Sequence, residues 1–292
     1  MAVAKKGESR VWFITGGSSG LGYEFTKAAL EAGDNVITVA RSIEKLDRLQ
    51  VQYKERLLSL SLDVTDRNAV FETVAAAHAH FGRLDIIVNN AGNMLMGMIE
   101  ELSEEDARSQ METNFFGALW VSQAVMPYLR LQQSGHILQI SSIGGLLSGP
   151  MSGIYSASKF ALEGMSEALA QEAKHFGVNV TIIEPGGYWT NLYLNMKYSK
   201  TLACYNSVRE ELAKQFSEGS ADSDPCLAAE AILKLVDSEN PPLRLILGSQ
   251  LLDITVHHEE EKIAAWKRWE EVSRAAEKAI PAPEGYGVAD GE

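Results

Sequence analysis

Short apolar runs alternate along the chain with longer stretches whose apolar positions recur every three or four residues. The runs at 11–14, 35–40, 57–62, 84–89, 136–141, 178–184 and 243–247 are largely apolar, as strands covered on both faces are. The stretches between them carry helix start signals. Ser103 with Asp106 three residues later makes a capping box, and Ser42 and Thr65 stand at N-cap positions. Regular alternation of strand and helix predicts an α/β fold: a Rossmann-like, doubly wound parallel sheet in a single domain.

Two stretches break the alternation. Residues 186–225 show no clean strand–helix rhythm and carry Tyr188, Trp189, Tyr193, Met196, Tyr198 and Tyr205, which points to a substrate lid rather than a linker. Residues 253–280 form a charge-rich helical pattern with Trp266 and Trp269, followed by a Pro/Gly tail at 281–292. The expected layout is an N-terminal tail (1–9), a catalytic domain (10–250) holding the lid, and a helical C-terminal extension with a flexible tail (251–292).

Composition narrows the partners. The 292 residues are 46% hydrophobic and 22% charged, ordinary for a globular chain, and the formal net charge is −13. A surface so acidic repels nucleic-acid phosphates and anionic lipid heads. Two cysteines, Cys204 and Cys226, make no disulfide framework, although one pair could bridge. The apolar run at 11–14 is too short for a signal-peptide core, and no stretch approaches a membrane span. The expectation is a cytoplasmic protein.

The candidate chemistry begins where the first strand ends. Thr15-Gly16-Gly17-Ser18-Ser19-Gly20-Leu21-Gly22 runs from strand to helix, with the spacing Gly-x3-Gly-x-Gly. Glycines there let backbone N–H groups approach a pyrophosphate at a helix N-terminus; a tight structural turn is the bland alternative. The second strand ends Val39-Ala40-Arg41-Ser42, with no carboxylate for the ribose hydroxyl of NAD and with an Arg able to grip the 2′-phosphate of NADP. NADP(H) is therefore preferred and NAD(H) remains open. Downstream stand Asp63-Val64, Asn89-Asn90-Ala91-Gly92, Asn114, Ser142, Tyr155 and Lys159. Tyr155 and Lys159, four apart on one helix, share a face.

Together these motifs, in their order and spacing over about residues 10–247, resemble the classical short-chain dehydrogenase/reductase family. The resemblance implies that Tyr155 is the general acid/base, that Ser142 holds and polarises the substrate oxygen, and that Asn114 helps order a proton relay through water. Lys159 would lower the Tyr155 pKa from about 10 toward neutrality, together with an oxidised nicotinamide, and bind the nicotinamide ribose. Ser18, Ser19, Gly20 and Leu21 would follow the pyrophosphate, Asp63 and Val64 would line the adenine pocket, and Asn90, Ala91 and Gly92 would lie beside the cofactor ribose. Pro185-Gly186-Gly187-Tyr188-Trp189-Thr190 matches the family's Pro-Gly turn, with Thr190 placed for the carboxamide. Where many NADP-preferring members add a basic residue before the second motif glycine, this chain has Ser19, so the preference rests on Arg41. Homodimers or homotetramers, built through helices at 104–131 and 152–176, are the family's habit.

Other features take blander readings. His257-His258 before Glu259–Glu261 lacks metalloprotease spacing, and His78 and His80 fall late in a helical pattern facing solvent. Met94, Met96 and Met98 are core or pocket lining. The expected function is interconversion of a ketone or aldehyde with its alcohol, on a small-molecule substrate that the composition of the lid makes apolar and fairly bulky. The rivals are an NAD-dependent secondary-alcohol dehydrogenase and a non-catalytic dinucleotide sensor.

Overall fold

The computed structural model describes residues 9–217 and 222–277. Its first half runs β1 (Val11–Thr15), α1 (Gly20–Glu31), β2 (Asn35–Ala40), α2 (Asp47–Tyr53), β3 (Leu57–Ser61), α3 (Arg67–Phe81) and β4 (Ile86–Asn89). A two-residue strand β5 (Leu95–Met96), α4 (Glu104–Met111), α5 (Gly117–Gln132), β6 (Gly135–Ile140), α6 (Gly153–Lys174) and β7 (Val178–Pro185) follow. Then come α7 (Asn191–Leu194), β8 (Lys197–Tyr198), α8 (Asn206–Ser217), α9 (Pro225–Val236), β9 (Arg244–Leu247), α10 (Ser249–Arg268) and α11 (Glu270–Ala275).

Seven strands form one parallel sheet in the order β3-β2-β1-β4-β6-β7-β9, and β5 pairs separately with β8. Every main-sheet pairing is parallel, as strands joined by helical crossovers require. Alternate side chains feed opposite faces. Trp12 and Ile14 pack with Phe25 of α1 and Ile232 of α9 on one side, whereas Val11 and Phe13 pack with Val74 of α3 and Val121 of α5 on the other. This explains why the strands read as apolar runs. The strand order reverses at β1, between β2 and β4, which opens a crevice at the strands' carboxyl ends.

Some local expectations shift. Ser103 does cap α4, accepting from the Asp106 N–H at 3.1 Å and donating to its carboxylate at 2.7 Å. The cap of α3, however, is Asp66, which accepts from the Ala69 N–H at 3.0 Å; Thr65 is instead tied to Asp63. Ser42 bonds the Glu44 side chain and caps no helix. Helices α4 and α5 join through a π-helical turn, Glu112–Phe116, a form often found at functional positions. His80 is exposed as expected, but His78 is half-buried and stacks on Tyr128 at 4.3 Å.

The chain divides into two units, residues up to Leu252 and residues from Asp253. The second is helical, with the remainder of α10 and α11, and it exposes Trp266 and Trp269. The expected tail at 281–292 lies outside the described residues. Both cysteines are free thiols. Among the described residues no helix is long and apolar enough to cross a membrane, and no cluster of side chains could hold a metal ion.

Candidate active site

A cleft of about 740 Å³ opens at the carboxyl ends of the main-sheet strands. It gathers every candidate residue named from the sequence except Gly22 and Asn114, which stand directly behind its wall. Positions scattered from Gly16 to Thr190 in the chain thus meet in one place.

The glycine turn forms the floor at β1. Gly16 has φ +68°, a left-handed conformation that a side chain would strain. Gly22 is needed for close approach, because a Cβ there would lie 2.5 Å from the Gly16 carbonyl oxygen and 2.4 Å from Asn90 Nδ2. Asn90 itself is a staple: its Nδ2 donates to the Thr15 carbonyl at 2.9 Å, joining the end of β4 to the end of β1. At the start of α1, Ser19 makes no side-chain cap, whereas Asp66, Ser103 and Asp224 cap α3, α4 and α9. The first N–H groups of α1 therefore meet the cleft without a side-chain acceptor, the donor set a phosphate anion uses. The residues present fit a dinucleotide.

At the end of β2, Arg41 lines the cleft, and so does Lys45, which the sequence reading missed. No motif marks Lys45; its place follows from the turn after β2, which brings the start of the next helical segment over the same edge. Asp63 accepts from both the backbone N–H and the hydroxyl of Thr65, at 3.0 and 2.8 Å, and this turn sets Val64 against Gly117.

The catalytic candidates sit on β6 and α6. Ser142 follows β6 in extended conformation, its Oγ accepting from the Gly144 N–H at 3.1 Å and its hydroxyl reaching Tyr155. Tyr155 and Lys159 lie one turn apart on α6, with the ammonium 5.9 Å from the tyrosine ring centroid. Lys159 Nζ donates to the Ile140 carbonyl at 2.8 Å, which fixes it at the end of β6. Asn114, in the π-helical turn, donates to the Asn93 carbonyl and to Ser158, and accepts from the Asn93 N–H at 2.9 Å. Its side chain is committed to holding the loop after β4 against α6.

Burial dominates the electrostatics of the pair. Burial pushes the Tyr155 phenol up to about 12, against the opposing hydrogen bond from Ser142, and pushes Lys159 down to about 8, partly offset by the Glu163 carboxylate. The lysine alone does not bring the phenol toward neutrality. Both groups have left water, and desolvation penalises the charged form of each. Behind them lies an ionic cluster the sequence did not reveal. Glu163, one turn beyond Lys159, accepts from Ser141 at 2.6 Å and from Arg244 at 2.6 Å, and Arg244 also binds Glu184 and Glu167. Burial lifts Glu184 to about 7 despite Arg244.

The stretch after β7 forms the remaining wall, whose lining mixes polar and apolar side chains. Trp189, Leu194 and Tyr198 are exposed, while Thr190, Asn191, Tyr193, Asn195 and Lys197 line the cleft, with Leu192 and Tyr188 as its main apolar contributions. Polar side chains gain from the wet cleft, and the aromatic residues that composition drew attention to mostly turn outward. Thr190 abuts the glycine turn, its Cβ 3.2 Å from where a Cβ on Gly20 would be. Met94 lines the cleft, but Met98 is buried in the fold.

Known proteins resemble this chain in sequence and fold. A family model described as short chain dehydrogenase matches residues 10–200. The oxidoreductase BOA17 of Botryotinia fuckeliana is 39% identical over 274 residues, covering 92% of this chain and 99% of that one. A short-chain dehydrogenase from Streptomyces avermitilis, solved by crystallography, is 39% identical, with a TM-score of 0.87 over 93% of this chain and all of the other. An alcohol dehydrogenase from Thermococcus sibiricus, complexed with 5-hydroxy-NADP, is 25% identical, with a TM-score of 0.69 and coverage of 82% and 96%. The chain belongs to the short-chain dehydrogenase/reductase family of oxidoreductases.

Proposed function

We propose that this protein is an NADP(H)-dependent oxidoreductase that interconverts a ketone or aldehyde with its alcohol, with Tyr155 as general acid/base. The observation that carries the reading is the convergence of Ser142, Tyr155 and Lys159 on one cleft floored by an uncapped glycine turn. The turn from Gly16 through Ser18, Ser19, Gly20 and Leu21 would hold the pyrophosphate. Asp63 and Val64 would flank the adenine, Asn90 to Gly92 a ribose, and Pro185, Gly186 and Thr190 the nicotinamide. Arg41 and Lys45 offer two cations beyond β2 where Ala40 supplies no carboxylate, which favours the 2′-phosphate of NADP over the bare ribose of NAD.

The bound dinucleotide supplies or accepts the hydride. During reduction Tyr155 gives its proton to the carbonyl oxygen, and the Ser142 hydroxyl donates to that same oxygen, stabilising the charge that develops there. Lys159 holds a positive charge beside the phenol and supports its ionised form. Asn114 fixes the turn next to Lys159, from which water restores the proton. The described parts of the segment 186–225, residues 186–217 and 222–225, act as the substrate lid. Assembly as a homodimer or homotetramer and a cytoplasmic location complete the proposal.

The test is NADPH and NADH consumption over a panel of ketones and aldehydes, with Tyr155→Phe as control. Turnover with NADPH that vanishes in the variant is the expected result. Turnover surviving in Tyr155→Phe overturns the mechanism, and faster turnover with NADH overturns the cofactor assignment. Cofactor binding without turnover of any carbonyl returns the protein to the sensor reading.

A further inference from the structure

The cleft carries a charge opposite to that of the molecule. In a chain of net charge −13, the cleft is lined by Arg41, Lys45, Lys159 and Lys197, against the single carboxylate of Asp63. Three of those cations already have work under the function proposed above, on which this inference rests. Arg41 and Lys45 follow β2, on one side of β1, and Lys159 is buried beside Tyr155. Lys197 is left over.

Its position is fixed by backbone pairing. Lys197 opens β8, whose partner β5 leaves the end of β4, on the opposite side of β1 from Arg41 and Lys45. The Lys197 N–H donates to the Met94 carbonyl at 3.0 Å, and Met94 itself lines the cleft. Tyr193 and Asn195 line the same wall, and Tyr193 lies close enough to Tyr155 to act on its ionisation. Among the described residues the Lys197 ammonium enters no ion pair or hydrogen bond. The buried acid of that neighbourhood, Glu101, is fully engaged by Arg209, Ser199 and the backbone N–H groups of Met98 and Leu202. Lys197 thus lines the cleft without an ion-pair partner among the described residues, while Asp222 acts on Tyr193 of the same wall, and in an otherwise acidic molecule such a cation concentrates anions.

We infer that the carbonyl substrate carries a carboxylate, distal to the reacting carbon, that Lys197 binds at the lid end of the cleft. One ammonium, in a cleft that the Asn195 amide and the Tyr193 phenol also line, suits a monoanion. A phosphate dianion recruits several cations or a run of backbone N–H groups, as at the glycine turn. Tyr193 and Asn195 line the path between the ammonium and Tyr155 and serve the polar part of the substrate.

Binding tests this without requiring turnover. Straight-chain carboxylates from butanoate to decanoate, each against the alcohol of equal length, are titrated calorimetrically into the protein alone and with NADP. The expected result is a preference for the acid at one or more chain lengths that salt weakens, that falls about tenfold in Lys197→Ala and that Lys197→Arg retains. Acids that bind no better than their alcohols at any length overturn the inference, and so does a preference that survives Lys197→Ala. Failure of the proposed function shows separately, as absence of NADPH consumption with every carbonyl.

Discussion

The two walls of the cleft are built on opposite principles. The wall from β6 and α6 is dry: Ser142, Tyr155 and Lys159 are 8%, 7% and 5% exposed, Lys159 is tied to the end of β6, and Ser142 bonds both the Gly144 N–H and Tyr155. The wall from the stretch after β7 is wet, with Tyr193 43% exposed and Trp189 68%. Burial on the first wall moves two ionisations by large steps, Tyr155 to about 12 and Lys159 to about 8. The second wall leaves Lys197 exposed, within water's reach. Proton transfer needs groups whose energies the protein dictates, whereas recognition needs side chains that can adapt to a ligand.

The sharpest way to break the comparison is to remove the phenol from the dry wall. Tyr155→Phe is expected to lower kcat by about a thousandfold with cofactor affinity nearly unchanged, read from steady-state rates and fluorescence titration of NADPH. Next comes the floor. Gly22→Ala forces a methyl against the Gly16 carbonyl and Asn90, and should cost about 1–3 kcal/mol of stability by chemical denaturation while weakening NADPH binding. At the β2 edge, Arg41→Ala should raise the KM for NADPH about tenfold or more and leave that for NADH in place; equal effects on both would assign Arg41 elsewhere.

Glu163→Gln probes the cluster behind the dry wall. The Glu163 charge raises the Lys159 pKa, so its loss should lower that pKa below about 8. Activity that depends on the ammonium falls as pH rises through that value. The basic limb of the pH profile should therefore move down by about half a unit, and a merely structural loss would not move it. The smallest effect is expected on the wet wall's outer face. Trp189→Ala, at an exposed position, should change stability by less than about 0.5 kcal/mol and leave turnover intact. A large effect there would mean that the aromatic face is covered in solution.

Much of this was legible in the order of residues. A strand buried on both faces must be apolar along its length, so the sheet could be read from the runs that became β1, β2, β4 and β7. The glycine turn and the pair Tyr155 and Lys159 were legible because their geometry is local: a turn of a few residues, and one turn of helix. Capping was less so, since Asp66 and Thr65 are neighbours of similar chemistry and the turn made by Asp63 decided between them.

What only the tertiary structure decided depends on contacts between residues distant in the chain. Lys45 and Lys197 reach the cleft through the placement of whole elements, and Arg244 finds Glu163 across 81 residues to balance charges beneath Lys159. The pKa directions belong to this group too. The sequence names Tyr155 and Lys159 as partners, but only packing removes water from both, and that desolvation sets the direction of each shift. Composition likewise marked the stretch after β7 as aromatic without saying which side would face the cleft. Orientation there was settled by the β5–β8 pairing, a long-range backbone contact that no local pattern encodes.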